Sequence, residues 1–289
     1  MQTVAWIGTG VMGAAQAGQL VKAGYPVKAY NHHYEKAREK AAEYGFEAVA
    51  TIRDAVEDAD FIFVMVGYPD DVKEVFCGKG GIFECACPGA VAVDMTTSSP
   101  TLARELYETG RKKRIAVLDA PVSGGDKGAR NASLSIMVGG DEDTFEKALP
   151  LLRCMGRTIH HMGPAGCGQH TKAANQIAVA GATAAYTEAI LYAEKTGLDP
   201  HKMLDAISGG AAGSWQISNM APRALDGDFE PGFYVKHFIK DMNIIEDEAA
   251  RRGFSLEMLS AVRDLYLRFA AAGGKDEGTQ ALIRFYREQ

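Results

Sequence analysis

The chain has 289 residues, enough for two domains with substantial cores. Its 31 basic and 37 acidic side chains are spread along the sequence for a formal net charge of −6, leaving no basic stripe to neutralise phosphates and arguing against a nucleic-acid partner. No apolar run approaches the roughly 20 residues that cross a bilayer, and the apolar start Thr3-Val4-Ala5-Trp6-Ile7 lacks a basic n-region and a cleavage site, which together read as a cytoplasmic protein without a membrane partner.

The first half alternates short β-branched apolar runs with longer amphipathic stretches, the pattern of strands and crossover helices over a mostly parallel sheet. Strands are expected at Val4-Ile7, Val27-Tyr30, Phe61-Val66, Val91-Met95, Ile115-Leu118 and Leu134-Val138, with helices over Val11-Ala23, Tyr34-Tyr44 and Ala103-Lys112 between them. The breaker cluster Gly163-Pro164-Ala165-Gly166 then changes the pattern, and the apolar spacing beyond it is helical. This divides the chain into an α/β doubly wound domain over 1–162 and an all-helical domain over 163–289. The second begins with one helix from Gly168 to about Lys195, roughly 40 Å long at the usual rise.

The five cysteines, Cys77, Cys85, Cys87, Cys154 and Cys167, form no C-x-x-C pair. An odd number without pairing favours reduced, structural thiols over a disulfide framework or a zinc site, and no metal-ligand cluster stands out elsewhere.

The segment Gly8-Thr9-Gly10-Val11-Met12-Gly13 follows a predicted strand and opens a predicted helix at the start of a βαβ unit. In that context the first glycine permits the tight turn, the second lets the backbone approach a pyrophosphate, and the third lets helix and strand pack closely. The unpaired N–H groups of the helix start face the anion. These residues are therefore expected to bind a nicotinamide dinucleotide in a Rossmann-type domain. The second strand ends Ala29-Tyr30-Asn31-His32-His33, where an acid would normally take the ribose 2′-hydroxyl and select NAD. A carboxylate there would repel a 2′-phosphate, so its absence, with His32, Lys36 and Arg38 nearby, leans toward NADP. Asn31 can equally hydrogen-bond a bare ribose, which leaves NAD open.

Four further segments agree in order and spacing with one family: Asp119-Ala120-Pro121-Val122-Ser123-Gly124-Gly125, then Gly166-Cys167-Gly168 through Lys172 to Asn175, then Lys240-Asp241, and Gly274-Lys275-Asp276 leading to Tyr286. Together they span nearly the whole chain, which resembles the β-hydroxyacid dehydrogenases, a family that includes 3-hydroxyisobutyrate dehydrogenases and tartronate semialdehyde reductases. The resemblance implies that Ser123, Gly124 and Gly125 bind the substrate carboxylate, a role suited to a hydroxyl and unobstructed glycine N–H groups. It implies that Lys172 is the general acid/base. Alone, a helical lysine is ordinarily a solvated surface group. Lys172, however, sits among Ala173, Ala174, Ile177, Ala178 and Val179 with few charges, so its helix should be buried, and burial lowers a lysine's pKa toward the range of proton transfer.

Asn175 and Gln176 lie on the same helical face as Lys172, and either can hold the substrate hydroxyl or the lysine; the catalytic amide is assigned to Asn175 and substrate binding to Gln176. The resemblance also places Lys240, at the opening of a helix, near the cofactor or substrate, where it can pair with phosphate or carboxylate. Val66-Gly67 at the end of the expected strand Phe61-Val66 and Thr97 within Asp94-Met95-Thr96-Thr97-Ser98-Ser99-Pro100 fall at carboxyl ends of strands, where cofactors bind in open α/β sheets. Ser99 before Pro100 also fits a helix cap. Three positions depart from the family: Val66-Gly67-Tyr68 stands for a commoner Leu-Pro, Ala132 for a frequent glycine, and His32 for a frequent arginine.

The implied reaction is reversible oxidation of a small β-hydroxyacid to its semialdehyde with NAD(P), Lys172 handling the hydroxyl proton while Ser123 to Gly125 hold the carboxylate. Two alternatives share the architecture, an imine reductase and a non-catalytic NADP-binding module, and the intact Lys172 counts against both. The helical half is short for a phosphogluconate dehydrogenase and shows no arginine cluster for a sugar phosphate. Trp215, Gln216 and Asn219 are open between pocket lining and helix packing. The helical half is expected to bury an apolar face in a homodimer or homotetramer, as in relatives.

Overall fold

The computed structural model describes residues 2–288 as two compact units, the first ending at Lys172 and the second beginning at Ala173. In the first unit, β1 (Val4–Ile7), β2 (Val27–Tyr30), β3 (Glu47–Val49), β4 (Phe61–Val64), β5 (Val91–Asp94) and β6 (Ala116–Asp119) are parallel neighbours in the order 3-2-1-4-5-6. The sheet continues through β7 (Val122–Ser123), β8 (Leu134–Gly139) and β9 (Gly156–Gly163), with β8 antiparallel to β6 and β7 and parallel to β9.

The helices of this unit are α1 (Val11–Lys22), α2 (Tyr34–Tyr44), α3 (Ile52–Val56), α4 (Pro69–Cys77), α5 (Ile82–Cys85), α6 (Pro100–Lys113), α7 (Gly125–Arg130) and α8 (Glu142–Leu152). Alternate residues along the central strands enter separate cores: Trp6, Phe63, Val93 and Leu118 belong to one, and Ile7, Ile62, Ala92 and Val117 to the other. Burial on both faces is why Phe61–Val64 and Val91–Asp94 read as near-continuous apolar runs instead of alternating ones. The strand order reverses between β1 and β4, so the glycine turn leaving β1 sits at the switch point where open α/β sheets bind ligands.

The expected strands are all present with small shifts at their ends. Phe61–Val66 closes at Val64 and Val91–Met95 at Asp94, where the chain leaves the ladder, and Ile115–Leu118 runs instead from Ala116 to Asp119, which stays paired with Asp94 and Gly139. Three strands had no clear sequence signal. The longest, β9, is exposed at Arg157, Thr158, His160 and Met162, so it lacks the apolar alternation of a half-buried strand. Ala132 adopts φ 51°, a left-handed conformation that costs an L-residue roughly 1 kcal/mol or more.

The helix α9 (Cys167–Thr196) spans 30 residues, close to the expected Gly168–Lys195. The second compact unit begins within this helix, whose first turn is hydrogen-bonded to the ends of the first unit's strands. The second unit adds α10 (Pro200–Ser208), α11 (Trp215–Asn219), α12 (Ala221–Leu225), α13 (Val235–Arg251), α14 (Glu257–Ala271) and α15 (Leu282–Arg287). Its cores gather Ala180, Phe238, Met242, Tyr266 and Phe269 on one side, and Tyr186, Ile190, Leu204 and Ile217 on another. Among the described residues, no helix is long and apolar enough to cross a membrane.

Candidate active site

The turn from β1 into α1 is shaped by what its glycines leave empty. Gly8 has φ +99°, and a Cβ on Gly13 would lie 2.0 Å from the Gly8 carbonyl oxygen, so neither position accepts a side chain at its present spacing. Gly10, exposed at the start of α1, would place a Cβ in open space. It offers no side-chain cap, and the first turn of α1 carries no acid, so the helix start faces that space with its own N–H groups. Unshielded N–H groups at a helix start suit an anion such as a dinucleotide pyrophosphate in sign of charge.

The loop is braced from β2. Asn31 donates from Nδ2 to the Thr9 hydroxyl at 2.9 Å, while its Oδ1 accepts the His33 N–H at 2.9 Å. This locks buried Thr9 in place, and the Asn31 amide ties the glycine loop to the end of β2. His32, His33, Lys36 and Arg38 are exposed around the start of α2, with Arg38 3.2 Å from Glu35.

Beyond β5 the chain folds onto polar partners. Thr96 Oγ1 accepts the Val66 N–H at 3.1 Å, and Asp94 Oδ1 accepts the Thr96 N–H at 3.0 Å. Thr97, Val66 and Gly67 are half-buried at this edge. Ser99 accepts the N–H groups of Thr101 and Leu102, so it is the N-cap of α6, with Pro100 in the first turn. After β6, Ser123 ends β7 and is followed by Gly124 and Gly125 at φ 131° and 62°. Only glycine takes two successive positive φ values without strain, which leaves main-chain N–H groups beside the Ser123 hydroxyl unshielded by side chains.

Lys172 lies in the second turn of α9, 6% exposed, as its apolar sequence neighbours suggested. The start of that helix is held by Asp119 at the end of β6. Asp119 Oδ1 accepts the Gly166 N–H at 2.7 Å and Oδ2 the Gln169 N–H at 2.8 Å. Gln169 in turn donates from Nε2 to the Thr96 carbonyl at 2.7 Å and accepts the Ser98 N–H at 2.9 Å through Oε1. Asp119 is 3% exposed, and burial pushes its carboxyl up from the ordinary 3.8 to about 6, opposed by the N–H groups of Gly166 and Gln169.

In the second unit, Gln176 is buried and donates to Asp241 Oδ2 at 2.6 Å, while its Oε1 accepts from Asn175 Nδ2 at 2.8 Å. Asp241 Oδ1 lies 3.1 Å from Lys240 Nζ, with both side chains largely buried. Lys240 and Asp241 do not open their helix, as the sequence suggested; α13 begins at Val235 and both residues lie within it. Burial, then Lys240 and Lys236, hold the nearby His237 imidazole below its usual range. Trp215 is 58% exposed and Asn219 is exposed, so neither is core packing, whereas Gln216 is half-buried.

Residues 3–163 match the family model described as the NAD binding domain of 6-phosphogluconate dehydrogenase, and residues 166–286 match that of the NAD-binding domain of NADP-dependent 3-hydroxyisobutyrate dehydrogenase. An uncharacterized oxidoreductase of Bacillus subtilis is 48% identical over 99% of each chain. A probable 3-hydroxyisobutyrate dehydrogenase-like protein of Arabidopsis thaliana is 45% identical over 97% of this chain and 84% of its own. The solved structure of a Mycobacterium tuberculosis 3-hydroxyisobutyrate dehydrogenase with L-serine superposes with a TM-score of 0.90 at 34% identity, covering 99% of both chains. The chain belongs to the β-hydroxyacid dehydrogenase family. As a β-hydroxyacid dehydrogenase family member it is an oxidoreductase that uses NAD(P), built from a Rossmann domain followed by a helical one.

Two polar residues of this β-hydroxyacid dehydrogenase site escaped sequence reasoning: Gln169, and Asp119 as more than a motif letter. A signal for them existed. The residues before α9, Gly163-Pro164-Ala165-Gly166, have no side-chain acceptor, so a buried helix start there requires one from elsewhere in the chain.

Gly10→Ala should leave unfolding free energy within about 0.5 kcal/mol of the parent, since φ at Gly10 is −67° and the space is open, yet weaken cofactor binding by roughly tenfold or more. Titration of reduced-nicotinamide fluorescence checks this; unchanged affinity would refute the cradle. Asp119 gives a pH dependence with a definite sign. Its folded pKa of about 6 exceeds the ordinary 3.8, so between those values the folded chain holds a proton that the unfolded chain has released. Its stabilising contribution is therefore full below about pH 4 and lost as the pH rises to about 6. Urea unfolding of the parent relative to Asp119→Asn should show the difference growing, by up to about 3 kcal/mol, as the pH falls through that window. A flat or opposite trend would contradict it.

Proposed function

We propose that the protein interconverts a small β-hydroxyacid and the corresponding semialdehyde, with Lys172 as general acid/base. The observation that carries this reading is a buried lysine in the second turn of a helix whose start is fastened to the carboxyl ends of β5 and β6. Burial costs an ammonium hydration, so a lysine in that place is an uncommon choice for a helix and a common one for a functional site. Catalysis accounts for it.

When bound on the Gly8 to Gly13 turn, the nicotinamide cofactor supplies the hydride acceptor or donor. Val66, Gly67 and Thr97 would line its far end. The chain's own groups do the rest. Ser123 Oγ and the N–H groups of Gly124 and Gly125 hold the substrate carboxylate, which orients the carbon bearing the hydroxyl. Lys172 Nζ takes the hydroxyl proton as the C–H bond gives up its hydride, and returns a proton to the carbonyl oxygen in reduction. Asn175, half-buried one turn beyond Lys172, is the amide that contacts the hydroxyl. Gln176 is already engaged by Asp241 and Asn175, which suits it to hold Asn175 in orientation and not to bind substrate itself. Lys240 Nζ, 3.1 Å from Asp241 Oδ1, anchors the Asp241 end of that relay. NADP is the preferred cofactor, supported by the lack of an acid at Asn31 and by the exposed His32, His33, Lys36 and Arg38 at the start of α2.

A spectrophotometric screen of 3-hydroxyisobutyrate, glycerate and L-serine, and of the corresponding semialdehydes, with NAD and NADP tests the reading. Turnover with at least one pair is expected, with a higher kcat/KM for NADP. Lys172→Ala should lower kcat by roughly 10²–10⁴-fold while cofactor affinity stays within about twofold. No turnover with any pair, or an active Lys172→Ala variant, would sink the proposal.

A further inference from the structure

We propose that Asp119 is a positioning residue for this reaction: its buried carboxylate clamps the first turn of α9 to the sheet and thereby sets where Lys172 stands. The inference rests on reading Lys172 as the acid/base, and its test separates the two.

The clamp is built from β6, β8 and the start of α9. Asp119 lies 47 residues before Gly166 in the chain, yet each of its carboxylate oxygens takes a separate main-chain N–H of the helix start. Room for it is left by two glycines. A Cβ on Gly139, at the end of β8, would come 2.5 Å from Asp119 Oδ1. A Cβ on Gly168 would come 2.8 Å from Oδ2 and 2.4 Å from the Met137 carbonyl oxygen. Glycine at both positions is what lets strand ends, carboxylate and helix start converge.

A second tie runs beside it. The Gln169 side chain joins the same turn to Thr96 and Ser98, and Thr96 Oγ1 receives the Val66 N–H. The first turn of α9 is thus fixed to the exits of β4, β5 and β6. Lys172 follows Gln169 by three residues, a rise of roughly 4.5 Å, and helical side chains lean toward the N-terminus, hence toward the clamp. Any tilt or slip of the first turn displaces the amine directly. Asp119 also stands at a cost, since burial outweighs its hydrogen bonds and raises its carboxyl to about 6. A fold shaped for stability alone does not favour such a group, and groups of this kind cluster at functional positions.

Asp119→Asn tests the inference, because the isosteric amide keeps one acceptor but turns an NH₂ toward one of the two N–H groups. Expected are a kcat lower by roughly 10- to 100-fold, the scale of a small misplacement of a reacting group, and cofactor affinity within about twofold. Hydrogen exchange of residues 166–172, followed by mass spectrometry on the protein without cofactor, should be faster. The decisive readout is a double-mutant cycle. In a Lys172→Ala background, Asp119→Asn should change the single-turnover hydride-transfer rate by less than about twofold, because nothing remains to be positioned. Asp119→Glu, which keeps the charge and both acceptors, should lose less than Asp119→Asn. If the asparagine variant does not fold, the glutamate variant carries the same cycle. Wild-type kcat in Asp119→Asn, unchanged exchange at 166–172, or an equal loss with and without Lys172 would overturn the positioning role. Near-normal activity of Lys172→Ala would instead overturn the acid/base reading.

Discussion

The N–H groups of a helix start have no partners inside the helix, and this chain meets that constraint in two opposite ways. At α1 the start is left open: Gly10 supplies no cap, the first turn holds no acid, and the space before it is empty. At α9 the start is closed by the buried Asp119 carboxylate. The open start is suited to an anion such as a dinucleotide pyrophosphate. The closed one already has its anion, and Lys172 lies one turn further on. Both lie where strands of the same parallel sheet end, so one scaffold carries the two halves of the proposed chemistry.

Around these two helix starts the polar groups are buried and cross-linked. Thr9 is held by Asn31, Thr96 by Val66, and Gln169 by Thr96 and Ser98. The second unit repeats the device in its own chain of contacts, Asn175 to Gln176 to Asp241 to Lys240. Buried polar networks rigidify their surroundings, and a buried polar group left unpaired costs about 1–3 kcal/mol. Rigidity is what hydride transfer to a small acid needs, because such a substrate offers few atoms by which to be held.

Much of this was legible in the sequence. The apolar runs at Val4–Ile7, Phe61–Val64 and Val91–Asp94, doubly buried, announced a parallel sheet, and the unbroken small and apolar stretch after Cys167 announced the long helix. The glycine turn, Ser123 to Gly125 and Lys172 stood out through spacing and family resemblance. What stayed hidden depends on contacts distant in sequence. Asp119 and Gln169 meet partners 47 to 73 residues away, which no local pattern reports. The bond from Asn31 to Thr9 likewise forms only once β1 and β2 are paired. The strand β9 was missed because its exposed residues erase the alternation that marks a strand.

The central claim is that Ser123 to Gly125 and Lys172 act on one small hydroxyacid. A crystal structure of the protein with NADP and 3-hydroxyisobutyrate tests it most directly. The account predicts the substrate carboxylate on Ser123 Oγ and the N–H groups of Gly124 and Gly125, with the hydroxyl about 3 Å from Lys172 Nζ. A carboxylate bound elsewhere, or a hydroxyl out of reach of Lys172, would contradict it.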